Sequence, residues 1–325
     1  MKNKQDFHRD QLSRWFPPDN PFGSFADDEV FPLSGGIFSS ALIRDVSNHL
    51  MPFGVFSSRR KTSIELQPPS DQFEELLADA LDDRHCHSRA DLSHQVSEFV
   101  RLCATELLGI GSATYEIVFF KDRTTSEMKG FLFFYINPRT LFLRRNATYQ
   151  YGSPEAFHNR DREGATLLPD DRLLVFRLPA KYQHLRRRTK IVRELGGLNV
   201  FRVAEEQQRE KGSVYNFKEH HRAEQLALAS ATRETGWSMG GILGETFLEY
   251  YGVWRYLVYN RFAIELRDEI LNTLNAAIRR ISPNFGPKTA MVIKGLPTLE
   301  DVEKAFRDLQ SGSRSFVSLV EQFSL

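Results

Sequence analysis

The chain has 325 residues and 37.5 kDa, with 43 Lys+Arg against 42 Asp+Glu and a formal net charge of +1. With 41% hydrophobic and 26% charged residues, it is excluded from three classes: disordered acidic tails, globally basic chromatin binders and collagen-like repeats. The length predicts roughly two domains, or one large one. In chain order, residues 1–69 mix Pro, Gly, Ser and Asp with isolated Phe16, Phe22, Phe25, Phe31 and Phe38, and hold no period of 2 or 3.6. They predict an extended, Phe-rich arm with one short helix near Ala41–Leu50. Ser70 opens the next helix as its cap, with acidic residues in the first turn of FEELLADALDD. A second helix, about Ser88–Leu108, carries Leu92, Val96, Phe99, Val100, Cys103 and Leu107 as one apolar stripe and stops at Gly109–Ile–Gly111. Short strands follow in ATYEIVFFKD, GFLFFYI, TLFLRR, TYQYG and RLLVFRLP, with Pro138 and Pro169 at their boundaries.

The second half reads as mainly helical. Ile191–Gly197, Ala204–Lys211 and Asn216–Arg233 precede a glycine-interrupted stretch at Gly236, Gly240, Gly241 and Gly244. A run of roughly 35 residues ending at AAIRRI suits a long helix or two abutting ones. SPNFGPK breaks it, TAMVIKGLP is a short strand, and two small helices close the chain around Ser311–Gly312–Ser313. The fold class is therefore α+β: an arm at 1–69, a helix-plus-antiparallel-sheet region at 70–185, and a mainly helical region at 186–325.

A search for chemistry returns little. GxxxxGK[ST], GxSxG, HExxH and a GxGxxG between strand and helix are all missing. Asp170–Asp171 precedes a strand that lacks the Glu-x-Lys of Mg²⁺ nucleases, so it reads as a turn. His85, Cys86, His87, Asp91 and His94 hold metal-ligand chemistry, but in no familiar zinc spacing, and they read first as a solvated loop. His220–His221 reads likewise. No catalytic, cofactor or metal residue is assigned. Two cysteines, Cys86 and Cys103, cannot make a disulfide framework. The polar opening MKNKQDFHRDQ does not look like a secretory signal. The apolar stretch Trp237–Tyr259 carries Glu245, Glu249 and Arg255, so no membrane span is expected.

Basic residues gather in one tract. Lys181, Arg186, Arg187, Arg188, Lys190 and Arg193 put six positive charges into thirteen residues, which suits phosphate contact or a subunit salt-bridge belt. Arg144–Arg145 and Arg279–Arg280 are weaker candidates. Gly236, Gly240 and Gly244 suit either a close-packing face or a segment that bends. The 26 Phe, against 10 Tyr and 3 Trp, imply a large core or partner contacts.

Taken together, these segments resemble the portal proteins of tailed bacteriophages. LLGIGSATYEIVFFKD is similar to the family's helix that reaches a Gly and continues into a strand of the form G-(A/S)-x-Y-x-x-V. GFLFFYINPRTLFLRRNATYQYG resembles its strand, L-x-P-x-x-(V/L) step and next strand, and LLPDDRLLVFRLP its Pro–acid–Asp turn before an apolar strand. VYNRFAIELRDEILNTLNAAI with VIKGLPTLEDVEKAF is also portal-like. The resemblance implies a non-enzymatic ring homo-oligomer in the virion, assembled in the host cytoplasm, that conducts double-stranded DNA at a capsid vertex. Its implied partners are terminase, capsid and head–tail adaptor proteins. It also implies that Arg186–Arg188 face DNA or capsid, that the Gly236–Gly244 segment is the mobile part of the channel, and that the arm reaches a neighbouring subunit. The alternative is a cytosolic nucleic-acid-binding or interaction protein that forms no ring.

Overall fold

A computed structural model describes residues 37–51, 62–82, 91–152 except 123 and 126, 164–183, 185, 232–237, 250–323 and isolated positions between 218 and 226. In it the fold is α+β, with antiparallel sheets in the middle of the chain and helices dominating its C-terminal part. The expected short helix is present as α1 (Ile37–His49), and β1 (Ser63–Gln67) follows it. Both belong to the folded body rather than to an arm, because Leu42, Val46, Leu50 and Leu66 are buried in the main core. Residues 1–36 and 52–61 of the expected arm lie outside the described residues.

Helix α2 (Asp71–Leu81) starts as expected, with the Ser70 hydroxyl accepting from the Phe73 amide at 3.4 Å. Helix α3 (Leu92–Gly109) is capped by Asp91, whose carboxylate accepts from the His94 amide at 2.9 Å. Its predicted stripe is the face that packs on the sheet: Val96, Val100, Cys103 and Leu107 are all fully buried. The left-handed turn that releases the chain falls at Gly111 (φ +97), whose amide donates to the Leu107 carbonyl at 3.0 Å.

From that turn the chain builds two small sheets. Strands β2 (Ser112–Lys121) and β3 (Met128–Ile136) form a hairpin. Asp122 organises its tip, accepting from the Thr124 and Thr125 amides at 2.7 and 3.2 Å and pairing with Lys129. These bonds hold its carboxyl well below the ordinary carboxylate range. Pro138 then opens a 3-10 turn, and β4 (Leu141–Arg144), β5 (Ala147–Gly152) and β6 (Gly164–Leu168) form a separate sheet in the order β4-β5-β6. Pro169 leads a second 3-10 turn at Asp170–Arg172. Strand β7 (Leu173–Arg177) then rejoins the first sheet beside β2, giving the order β3-β2-β7. Both prolines sit at strand boundaries, where a missing amide removes no ladder bond. Ile136, Leu141, Leu168 and Leu173 form a small apolar cluster where the chain passes between the two sheets.

The expected long helix is one uninterrupted element, α4 (Tyr250–Ile281), 32 residues and hence about 48 Å long. Its buried positions run its whole length because it serves two cores. Phe262, Leu266, Ile270, Leu274 and Ile278 join the main core of α1, α2, α3 and the β3-β2-β7 sheet. Val253, Leu257 and Ile264 instead pack on α5 (Leu299–Ser311) and α6 (Phe316–Glu321) in a second cluster. Helix α5 opens with a Thr298–Asp301 capping box and closes at Gly312 (φ +66). Strand β8 (Ala290–Lys294) pairs antiparallel with β1, from Ser63↔Lys294 to Gln67↔Ala290. No helix among the described residues is long and apolar enough to cross a membrane.

Candidate functional site

The basic tract starts from an anchored point. Tyr182 is 1% exposed and meets Phe262 of α4 edge-on, with ring centroids 4.6 Å apart. Burial, and next the adjoining Glu265 carboxylate, push its phenol far above the ordinary value. Lys181 lies over the Tyr182 ring at 5.1 Å and reaches both carboxylate oxygens of Glu265 at 3.4 Å. Its charge is thus already matched within the subunit. Leu185 is buried. Arg186, Arg187, Arg188, Lys190 and Arg193 lie outside the described residues.

The weaker basic candidates separate. Arg145 and Asn146 take φ of 51° and 62° as the central residues of the β4–β5 turn, the left-handed pair that a two-residue hairpin needs. Arg279 and Arg280 occupy the last turn of α4, where the helix dipole favours cations. There Arg280 donates to the Leu173 carbonyl at 3.5 Å and ties α4 to β7.

Gly236 is a packing residue and is not helical: its φ is +67. A Cβ there would lie 2.5 Å from the Tyr259 amide nitrogen and closer still to the Arg255 carbonyl oxygen, so only glycine lets this turn rest on the α4 backbone. Gly240 and Gly244 lie outside the described residues. The contact seats Trp237, 1% exposed, between α1 and α4. The indole nitrogen donates to Asp45 Oδ2 at 3.1 Å, and the Trp237 carbonyl accepts from Arg255 at 2.9 Å. Tyr259 donates to the Asp45 carbonyl at 3.0 Å.

One turn along α1, His49 lies against the Tyr259 ring and is bonded to Asn260 Oδ1 at 2.9 Å. The Asn260 amide donates to the Tyr256 carbonyl at 2.8 Å, which turns its oxygen toward His49 and makes the imidazole Nε2 the donor. Burial holds the His49 pKa below the ordinary 6.5, against the Asn260 hydrogen bond that would raise it. Sequence reasoning missed this junction. Asp45 and Trp237 are 192 residues apart, and a single buried Trp beside a glycine carries no local signature of its partner.

For the metal candidates, Asp91 is the α3 cap described above, and His85, Cys86 and His87 lie outside the described residues. Among the described residues no three His, Cys, Asp or Glu side chains gather as a metal site would require. Asp170 and Asp171 form the expected turn, with the Arg172 amide bonded to the Pro169 carbonyl at 2.9 Å. Buried Cys103 donates to the Tyr115 phenol oxygen at 3.7 Å, and burial pushes its thiol far up, away from nucleophilic use. No known protein-family profile matches the chain, and no curated protein matches it.

Proposed function

We propose that this chain is a portal-like structural subunit: a non-enzymatic protein that assembles into a ring and forms the DNA channel at a capsid vertex during packaging and ejection. The observation that carries the reading is the connectivity from α3 to β7. The helix reaches Gly111 and turns straight into β2, where Ala113, Tyr115 and Val118 keep the portal-like (A/S)-x-Y-x-x-V spacing with Ser112 standing between them and the glycine. The LLPDDRLLVFRLP segment becomes β6, a Pro-led turn and β7, which completes the β3-β2-β7 sheet after the inserted β4-β5-β6 sheet. The long helix α4 backs the first sheet.

In this reading the partners are other copies of the chain, double-stranded DNA, terminase, capsid and head–tail adaptor proteins, and the assembled protein resides in the virion. The Arg186–Arg193 tract then faces DNA or capsid.

Light scattering on a sizing column, with negative-stain images of the same peak, tests the reading. The expected result is a species of about a dozen subunits with ring-shaped views. A monomer or dimer that binds DNA in a salt-dependent way would favour the nucleic-acid-binding alternative. The Arg186→Gln, Arg187→Gln, Arg188→Gln triple variant sharpens either outcome. Loss of three phosphate contacts lowers the slope of log affinity against log salt by about 2 to 3. An unchanged slope removes the tract from DNA contact.

A further inference from the structure

A cavity of about 150 Å³ opens between the end of α2, the outer half of α3 and the β2–β3 hairpin. Its walls are aromatic and come from three elements. Phe99 lies 5.1 Å from Tyr115 and 5.9 Å from Phe133, and Tyr115 meets Tyr135 edge-on at 5.6 Å (centroid distances). Among the described residues one carboxyl lines it. Glu106 stands on α3 seven residues after Phe99, and accepts from the Tyr135 hydroxyl at 2.9 Å. Arg101, one turn back on α3, is committed to Glu98 at 2.7 Å and supplies no counter-charge.

We infer that this cavity is a binding site for a small organic ammonium ion. A space of this size can take a benzene-sized guest, but a neutral apolar guest would leave the carboxylate beside it without a counter-ion among the described residues. An ammonium head answers both wall chemistries at once. Aromatic faces attract cations through the ring quadrupole, and quaternary ammonium groups are bound elsewhere by such cages. The carboxylate supplies the opposite charge, and Tyr135 fixes its orientation. Burial raises the Glu106 pKa, against the Tyr135 hydrogen bond that lowers it, so the carboxylate is itself under strain that an adjacent cation relieves. The inference concerns a single subunit and is independent of ring assembly.

The test is ligand-observed NMR on the full chain at constant ionic strength, with tetramethylammonium and its near-isostere tert-butanol as probes. Tetramethylammonium is expected to bind saturably, with its methyl signal moved upfield by the surrounding rings. Tert-butanol is expected to bind at least tenfold more weakly. Glu106→Gln, which keeps the acceptor for Tyr135, should weaken tetramethylammonium at least tenfold and leave tert-butanol unchanged. Leu102→Trp should abolish binding by filling the space. Equal binding of the two probes, no saturable binding, or an unaffected Glu106→Gln variant would each overturn the inference. Competition with N-acetyl-trimethyllysine amide identifies the source of the ammonium. Displacement means the site takes a lysine-type side chain, and no displacement means it takes a free ammonium ion.

Discussion

Two regions of the core hold part-buried ionisable groups and treat them in opposite ways. At the α1–Trp237–α4 junction the polar atoms of Asp45, Trp237, Arg255, Tyr259, Asn260 and His49 bond to one another or to nearby backbone, and Gly236 lies directly on the α4 backbone. At the α3–hairpin cavity the walls stand apart around open space, and among the described residues the Glu106 carboxyl is held by the Tyr135 hydroxyl alone. The first arrangement trades polarity for rigidity and gains specificity in how α1 and α4 meet. The second leaves a charge in poor surroundings, which lowers stability. That contrast is why the cavity reads as a binding site and the junction as a fastening.

The largest effect should come from breaking the fastening. Gly236→Ala adds a Cβ against the α4 backbone and places a non-glycine residue at φ +67. The two penalties together predict a loss of about 3 kcal/mol, read as a lower midpoint in urea unfolding. A loss below about 1 kcal/mol would mean that the turn can lift off α4, and that the junction is no tighter than the cavity.

The next effect is a pH slope. The folded-state pKa of His49 lies below its unfolded value near 6.5, because burial disfavours the imidazolium. Below pH 6.5 the unfolded chain therefore takes up a proton that the folded chain refuses, and stability falls as pH drops from 6.5 toward the folded pKa. One fully differential proton gives a slope approaching about 1.4 kcal/mol per pH unit. His49→Phe should flatten that part of the curve, even though it removes the bond to Asn260. An unchanged slope between pH 6.5 and 5 would move the acid sensitivity to other groups.

What was legible in the sequence follows the range over which each interaction acts. The α3 stripe, the Ser70 cap, the long α4, the Gly312 stop and the strand boundaries at Pro138 and Pro169 are set by neighbours within a few residues, and periodicity and turn chemistry report them. Pairing of β1 with β8 joins residues more than 200 positions apart, and no local pattern in SIELQ names AMVIK as its partner. A separation of 192 residues likewise hid the bond between Trp237 and Asp45. The cavity left one faint signal: Glu106 lies seven residues after Phe99, on the apolar face of an otherwise regular stripe. Its aromatic walls, at alternate positions of β2 and β3, read as ordinary sheet core until the structure set them around a space.

The smallest expected effect separates the two regions most cleanly. Burial raises the folded-state pKa of Glu106 above its ordinary value near 4.5. Above pH 4.5 the unfolded chain gives up a proton that the folded chain retains, so this group's contribution to stability is full at low pH and declines as pH rises through the folded pKa, the reverse of His49. Glu106→Gln removes the ionisation while keeping an acceptor for Tyr135. The variant should match the parent at pH 4 and be slightly more stable at pH 7, measured by thermal unfolding at both values. Tetramethylammonium should raise the melting temperature of the parent at pH 7 and raise that of the variant much less, because the variant lacks the carboxylate that opposes the cation's charge. A variant less stable than the parent at pH 7 would make Glu106 a structural anchor like Asp45, and the difference between the two regions would vanish.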